Sequence, residues 1–301
     1  MIRPDGIRAN EQTAVNNYFQ KQIEGSSEQI NANAQKEFDD FVKKLREAGV
    51  NVIVDGTGAS KETPDAVFPN NWVSFHANGD VAVYPMFAEN RRTERRMEVF
   101  DLIEADGFKI SEIIDYTSAE DEALFLEGTG SLILDRENKK AYCALSPRAD
   151  EDLVIEFCED FEYTPIIFNA FQSVNGQRLP IYHTNVMMCV AETFAVICIA
   201  SIDDKKERKY VLSNLKEDGK EVIDITEAQM HKFAGNMLQV VAKNNQPLLI
   251  MSASAYYSLR QDQIVKIEKH CPILYSDIST IETLGGGSAR CMMAEVFLPK
   301  A

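Results

Sequence analysis

The chain has 301 residues, 45% of them hydrophobic and 26% charged, with a net charge of 31 − 47 = −16. That length can bury a full-sized core in one large domain or two ordinary ones. The acidic balance excludes nucleic acid and anionic membrane as general partners, because both need a basic footprint; an anionic metabolite needs only a local arginine or two and stays open.

The opening "MIRPDGIRANEQTAVNNYFQKQ" has no apolar core of the kind a signal peptide carries. Residues 1–34 are polar and are assigned no function. The most apolar run, "VMMCVAETFAVICIASI", is interrupted by Glu192 and is too short to span a bilayer. Six cysteines (143, 158, 189, 198, 271 and 291) form no CxxC pair and have no His/Cys metal spacing. A reduced, cytoplasmic protein is therefore expected.

Taken in chain order, one pattern recurs: a strand, a tight turn, a second strand, a helix, then a short third strand. The first helix is predicted over roughly residues 35–48, where Phe38, Phe41, Val42 and Leu45 follow the spacing of a buried face and Gly49 closes it. Strand pairs follow in "AVFPNNWVSFHANGDVAVYPM", "LEGTGSLILDRENKKAYCALS", "IYHTNVMMCVAETFAVICIAS" and "FAGNMLQVVAKNNQPLLIMSA". Polar or Gly/Asn turns separate their β-rich halves. Further helices are predicted over roughly 92–105, 149–161, 204–217 and 257–270. Short extended pieces follow each helix: "VNVIVDG", "FKISEIIDY", "YTPIIFNAF", "KEVIDIT" and "PILYSDIS". The last unit, "GGGSARCMMAEVFLP", lacks a second strand because the sequence ends.

Corresponding points on the first strands are Asn71, Gly128, Asn185, Asn236 and Cys291, spaced by 57, 57, 51 and 55 residues. Five ββαβ units closed in a ring make a five-bladed α/β-propeller, a single domain over residues 1–301. In such a ring Cys291, His183, Glu127, Asn71 and Asn185 point toward one central pocket.

Each of these residues has an ordinary reading. A cysteine in an apolar run is a small hydrophobe, but Cys291 follows three glycines that let backbone approach a ligand closely. A histidine is more often a satisfied core or surface residue, and His76, His231 and His270 are read that way. Glu127 in "LEGTG" is, on its own, a turn carboxylate. Together Cys291, His183 and Glu127 form a Cys–His–acid set that can activate a thiol.

At these residues the chain resembles the guanidine-modifying superfamily of arginine deiminases, dimethylarginine dimethylaminohydrolases and amidinotransferases, which share a five-bladed α/β-propeller, the pentein fold. The segments "PDAVFPNNWVSFH", "LEGTG", "ALSPRAD", "YHTN" and "GGGSARC" correspond in order to that family's active-site segments. "FPNNWVSFH" and "FAGNML" are similar to the citrulline-utilisation hydrolase branch. The resemblance implies that Cys291 is the nucleophile, His183 the general acid and base, and Glu127 the carboxylate near the reacting nitrogens. It also implies that Arg91 and Arg148 hold a substrate α-carboxylate and that Asp65 binds substrate. No metal or organic cofactor is implied, and a homo-oligomer stays open.

The sequence departs from the arginine-converting members at two positions, with Asn71 and Asn185 where they place aspartates. A guanidinium bound at about 4 Å loses a few kcal/mol when one carboxylate partner goes, at an effective dielectric of about 20. An asparagine amide suits the C=O and N–H edges of a neutral ureido group. Citrulline, cleaved to ornithine, ammonia and carbon dioxide, is therefore the expected substrate. A guanidino hydrolase, an amidinotransferase and a binding protein without catalysis are the alternatives.

Overall fold

The alternating β-rich runs pair as their turns require. The computed structural model describes residues 1–301, apart from the side chain of Asn244. The chain divides into two compact units: residues 1–129, 278–287 and 291–301 form the first, residues 130–277 and 288–290 the second.

In the first unit, β1 (Val73–Phe75) pairs antiparallel with β2 (Asp80–Val83), and β2 pairs parallel with β3 (Glu112–Asp115). A parallel neighbour needs a crossover, and the helix Glu98–Ala105 lies within it. Behind the sheet Trp72, Phe75, Val81, Val83, Phe100 and Ile103 form one buried cluster with Ile2 and Leu298 from the two chain ends. Phe75 meets Phe100 edge to face at 6.2 Å.

The second unit repeats this sheet three times. β4 (Leu132–Asp135), β5 (Lys140–Ala144) and β6 (Thr164–Phe168) form the first copy. A separate hairpin follows, β7 (Phe171–Val174) with β8 (Gln177–Pro180). The other copies are β9 (Met188–Val190), β10 (Phe194–Ile197) and β11 (Glu221–Asp224), then β12 (Leu238–Ala242), β13 (Gln246–Ser252) and β14 (Ile273–Ser276). Each has an antiparallel pair and a parallel third strand.

Several predicted elements change. The first helix runs Ser27–Glu47, eight residues earlier than expected, because Ser26 caps it: its hydroxyl accepts from the Gln29 N–H at 3.2 Å. The helix predicted over 92–105 is two, Glu89–Arg92 and Glu98–Ala105. Between them Arg95 is drawn to the Glu120 carboxylate and Arg96 to Asp55, and these ion pairs override helix propensity. The helix predicted over 257–270 is also two, Ala253–Ser258 and Gln261–Glu268, separated by an extended Leu259. "VNVIVDG" contributes only an isolated bridge between Ile2 and Asp55, and "GGGSARCMMAEVFLP" forms no strand, the bridge from Phe108 falling just after it at Lys300. No helix among the described residues is long and apolar enough to cross a membrane.

Candidate active site

Short helical turns deliver the repeated polar positions to their places. Asn71 ends the turn Pro69–Asn71 just before β1, Gly128 opens the turn Gly128–Ser131 before β4, and Asn185 lies in Thr184–Val186 before β9. They sit at the strand entrance rather than on the strand. Proline at the first position of the earliest turn favours this, since its fixed φ suits a helix start. Successive turns pack backbone on backbone. A Cβ on Gly128, at φ +43°, would lie 2.4 Å from the Asn70 carbonyl oxygen and 2.9 Å from that of Asn71. In the second unit a Cβ on Gly235 would lie 2.4 Å from the Val186 carbonyl oxygen. Asn236 there donates to the Asn185 carbonyl at 3.0 Å and accepts from the Arg290 N–H at 3.1 Å.

The first unit brings Asp65, Asn71, Arg91 and Glu127 together around one guanidinium. Arg91, only 2% exposed, donates from Nη1 to the Asn71 amide oxygen at 2.8 Å. Its Nε and Nη2 grip Glu94 at 3.1 and 2.9 Å, and Nη2 also reaches the Phe68 carbonyl at 3.3 Å. Asp65 and Glu127 stand 3.9 Å from Nε and Nη1. All three nitrogens are thus engaged inside the protein. A guanidinium has five N–H donors; those of Arg91 Nε and Nη2 go to Glu94 and backbone and one on Nη1 goes to Asn71, so the residue expected to hold a substrate carboxylate is engaged with protein groups. Arg92 turns aside, donating from Nε to the Met86 carbonyl and pairing with Glu120.

Burial pushes the Glu94 carboxyl up to about 7 against the pull of Arg91. Burial alone would lower the proton affinity of Arg91, but Glu94, Asp65 and Glu127 outweigh it and raise it. Glu127 also accepts from the Phe87 N–H at 3.0 Å, and Asp65 accepts from the Asn10 amide at 2.8 Å and the Thr13 hydroxyl at 3.3 Å.

Arg148, His183 and Asn185 belong to the second unit and are all buried. The Arg148 guanidinium carbon lies 5.0 Å from the Tyr182 ring centroid, a cation–π distance. Tyr182 and His183 have ring centroids 4.6 Å apart. Hydrogen bonds fix the segment: the Ser146 hydroxyl donates to the Tyr182 carbonyl, and the Ala144 N–H donates to the Thr184 hydroxyl. His270 has a structural setting, bridging Glu221 and Thr193.

Cys291 is buried in the first unit. The glycines before it are tightly packed: a Cβ on Gly287 would stand 3.0 Å from the Phe68 ring and 3.3 Å from the Cys291 Cβ. Gly286 takes φ +63° as it ends the helix Ser279–Gly285. Glu37 caps that helix from the side, its carboxylate accepting from the Thr280 and Ile281 N–H groups at 2.9 and 3.2 Å. Asn17 and Gln20 donate to the Gly285 carbonyl at 3.2 and 3.1 Å. Burial pushes the thiols of Cys158 and Cys189 up to about 12, and those of Cys143, Cys198 and Cys271 upward as well. These five are packing residues.

Sequence reasoning missed Glu94, Glu37 and the amide-rich stretch Asn10–Gln20. Glu94 follows Arg91 by three residues, just past the end of the helix Glu89–Arg92, where its N–H turns back to the Arg91 carbonyl at 3.0 Å. Among the described residues no three His, Cys, Asp or Glu side chains group as metal ligands.

The repeated three-stranded sheets and this cluster define an α/β protein of the pentein fold, within the guanidine-modifying superfamily. The chain belongs to the family described as N,N dimethylarginine dimethylhydrolase, eukaryotic, whose model matches residues 3–298. Solved structures share the fold. ArgZ, described as an arginine dihydrolase from the ornithine–ammonia cycle in cyanobacteria, matches with a TM-score of 0.72 at 16% identity, over 100% of this chain and 40% of its own. Its N-terminal domain bound to product matches with 0.69 at 15%, over 99% and 98%. Dimethylarginine dimethylaminohydrolase in an adduct with S-methyl-L-thiocitrulline matches with 0.61 at 14%, over 97% and 96%. The chain spans about 40% of full-length ArgZ. No curated protein matches the sequence.

Proposed function

We propose that the protein is a thiol-dependent hydrolase of the C–N bond between the ureido carbon and the side-chain nitrogen of a ureido amino acid, with citrulline the leading substrate. The observation that carries this is the orientation of Asn71. Arginine can only donate, so the amide atom facing Arg91 Nη1 is the oxygen. The Asn71 N–H edge therefore faces the other way, where one N–H reaches the Asn70 amide oxygen at 3.3 Å and the amide nitrogen keeps a second N–H to donate. A ureido oxygen accepts from such an edge, whereas a guanidinium carries only donors and gains nothing from it.

The Cys291 thiolate attacks the ureido carbon, and amide or backbone N–H groups hold the oxyanion that develops. His183 protonates the departing δ-nitrogen, which leaves as ornithine with its electron pair from the broken C–N bond, and a carbamoyl thioester remains on sulfur. His183 then takes a proton from water, which displaces the thiolate and gives carbamate, hence ammonia and carbon dioxide. Glu127 orients the reacting nitrogens, Asn185 lines the pocket, and Asp65 binds the substrate's amino-acid end. With Arg91 committed inside the protein, Arg148 takes the α-carboxylate. This chemistry needs no cofactor, and a reducing cytoplasm suits a thiol nucleophile.

A guanidino substrate is the second reading. It is favoured by the family description and by the carboxylates Asp65, Glu94 and Glu127 around a single arginine. Incubation with citrulline, arginine, methylated arginines and agmatine separates the two. Ornithine and ammonia from citrulline, abolished in Cys291→Ala, are expected. Citrulline made from arginine, with no turnover of citrulline itself, would remove the ureido reading and leave the nucleophile in place.

A further inference from the structure

Resting on that reading, we propose that Glu94 is a positioning residue: acting through Arg91, it locks the Asn71 amide with its N–H edge outward and so sets the preference for a ureido over a guanidino side chain. Three links carry the argument. Glu94 is 1% exposed and holds Arg91 at both Nε and Nη2, so the guanidinium plane is fixed by a fork-to-fork contact. Arg91 Nη1 then donates to Asn71 Oδ1 at 2.8 Å, which an amide turned through 180° would answer with a second donor. The Phe68 and Asp65 carbonyls close the far side of the guanidinium, at 3.3 and 3.4 Å from Nη2. Swivelling Arg91 would therefore break backbone contacts as well. No other carboxylate lies this close to Arg91, since Asp65 and Glu127 both stand at 3.9 Å.

The arrangement gives Asn71 a role that its identity alone does not. An asparagine free to turn accepts from a guanidinium in one orientation and donates to a ureido oxygen in the other. Held at its oxygen by the Glu94–Arg91 pair at 2.8 Å, and more loosely at its nitrogen by the Asn70 amide oxygen at 3.3 Å, it keeps the second orientation. Glu94 touches no substrate in this scheme and acts only by holding Arg91.

The test is the ratio of kcat/KM for citrulline to that for arginine, measured on the full chain and on Glu94→Gln, with thermal unfolding as the check on folding. Glutamine keeps the shape but loses the charged fork. Freeing the amide forfeits about one hydrogen bond's discrimination, so the ratio should fall about tenfold. Equal losses on both substrates, leaving the ratio unchanged, would mean Glu94 is merely structural and would overturn the proposal. Should Glu94→Gln fail to fold, Arg91→Lys keeps the positive charge without the planar fork and should lower the same ratio. The two failures remain separate. A wild-type preference for arginine removes the ureido reading, whereas a ratio that does not move in the variants removes the positioning role, whichever substrate is preferred.

Discussion

Gly128→Ala probes the step that carries Glu127 past Asn71. The native φ of +43° lies in the left-handed region, where a non-glycine residue costs about 1–2 kcal/mol. The new methyl would also meet the carbonyl oxygens of Asn70 and Asn71 at 2.4 and 2.9 Å, and both are backbone atoms. Relieving such overpacking typically costs a further 1–3 kcal/mol. A total loss of about 2–5 kcal/mol is therefore expected, read as a lower urea midpoint at unchanged slope. Gly107 provides the internal control. It sits in the same unit at φ +86° with nothing within 4 Å of its Cβ position, so Gly107→Ala should show the backbone cost alone. Because the displaced carbonyls belong to the turn that aims Asn71, kcat/KM should also fall in Gly128→Ala, by about 100-fold if the reacting groups shift by about 1 Å. Equal destabilisation in the two variants would refute the claim that close backbone packing demands glycine at 128.

Two other outcomes follow from the same geometry. The Glu94 carboxyl titrates near 4.5 when unfolded and near 7 when folded, where it faces Arg91, Asp65 and Glu127, so between those values the native state binds more protons. Its contribution is complete below pH 4.5 and is lost as pH rises through 7. The stability of the wild type relative to Glu94→Gln, from urea midpoints at pH 5 and pH 8, should therefore decline with rising pH; a constant difference would contradict the raised affinity. Glu37→Ala should cost about 0.5–2 kcal/mol by stripping the cap from the helix that ends at Gly285. Hydrogen exchange at the Thr280 and Ile281 amides should quicken in that variant.

The sheets were legible because alternation and turn residues agree locally: the first two strands of all four repeated sheets fall inside predicted strand pairs. The hairpin at β7 and β8 is equally signposted, since Asn175 and Gly176 both take positive φ between short β-rich runs, yet it interrupts the repeat and so falls outside the periodic pattern. Breaks in helices were not legible. What ends the helix at Arg92 is the reach of Arg95 to Glu120 and Arg96 to Asp55, partners 25 and 41 positions away. The site divides in the same way. Asp65, Asn71 and Glu127 stand out by motif, but the engagement of Arg91 depends on Glu94, which no motif singles out. Only packing reveals that Glu94 is inside.

The stretch from Asn10 to Gln20 bonds at one end to Asp65 and at the other to the Gly285 carbonyl. A shortened version beginning near residue 35 would retain every strand and all the proposed catalytic groups. It would nevertheless remove the Asn10 and Thr13 donors to Asp65 and the Asn17 and Gln20 donors to the Gly285 carbonyl together. Trimming of this leading stretch would loosen both segments at once, and it would also take Ile2 out of the cluster behind the first sheet.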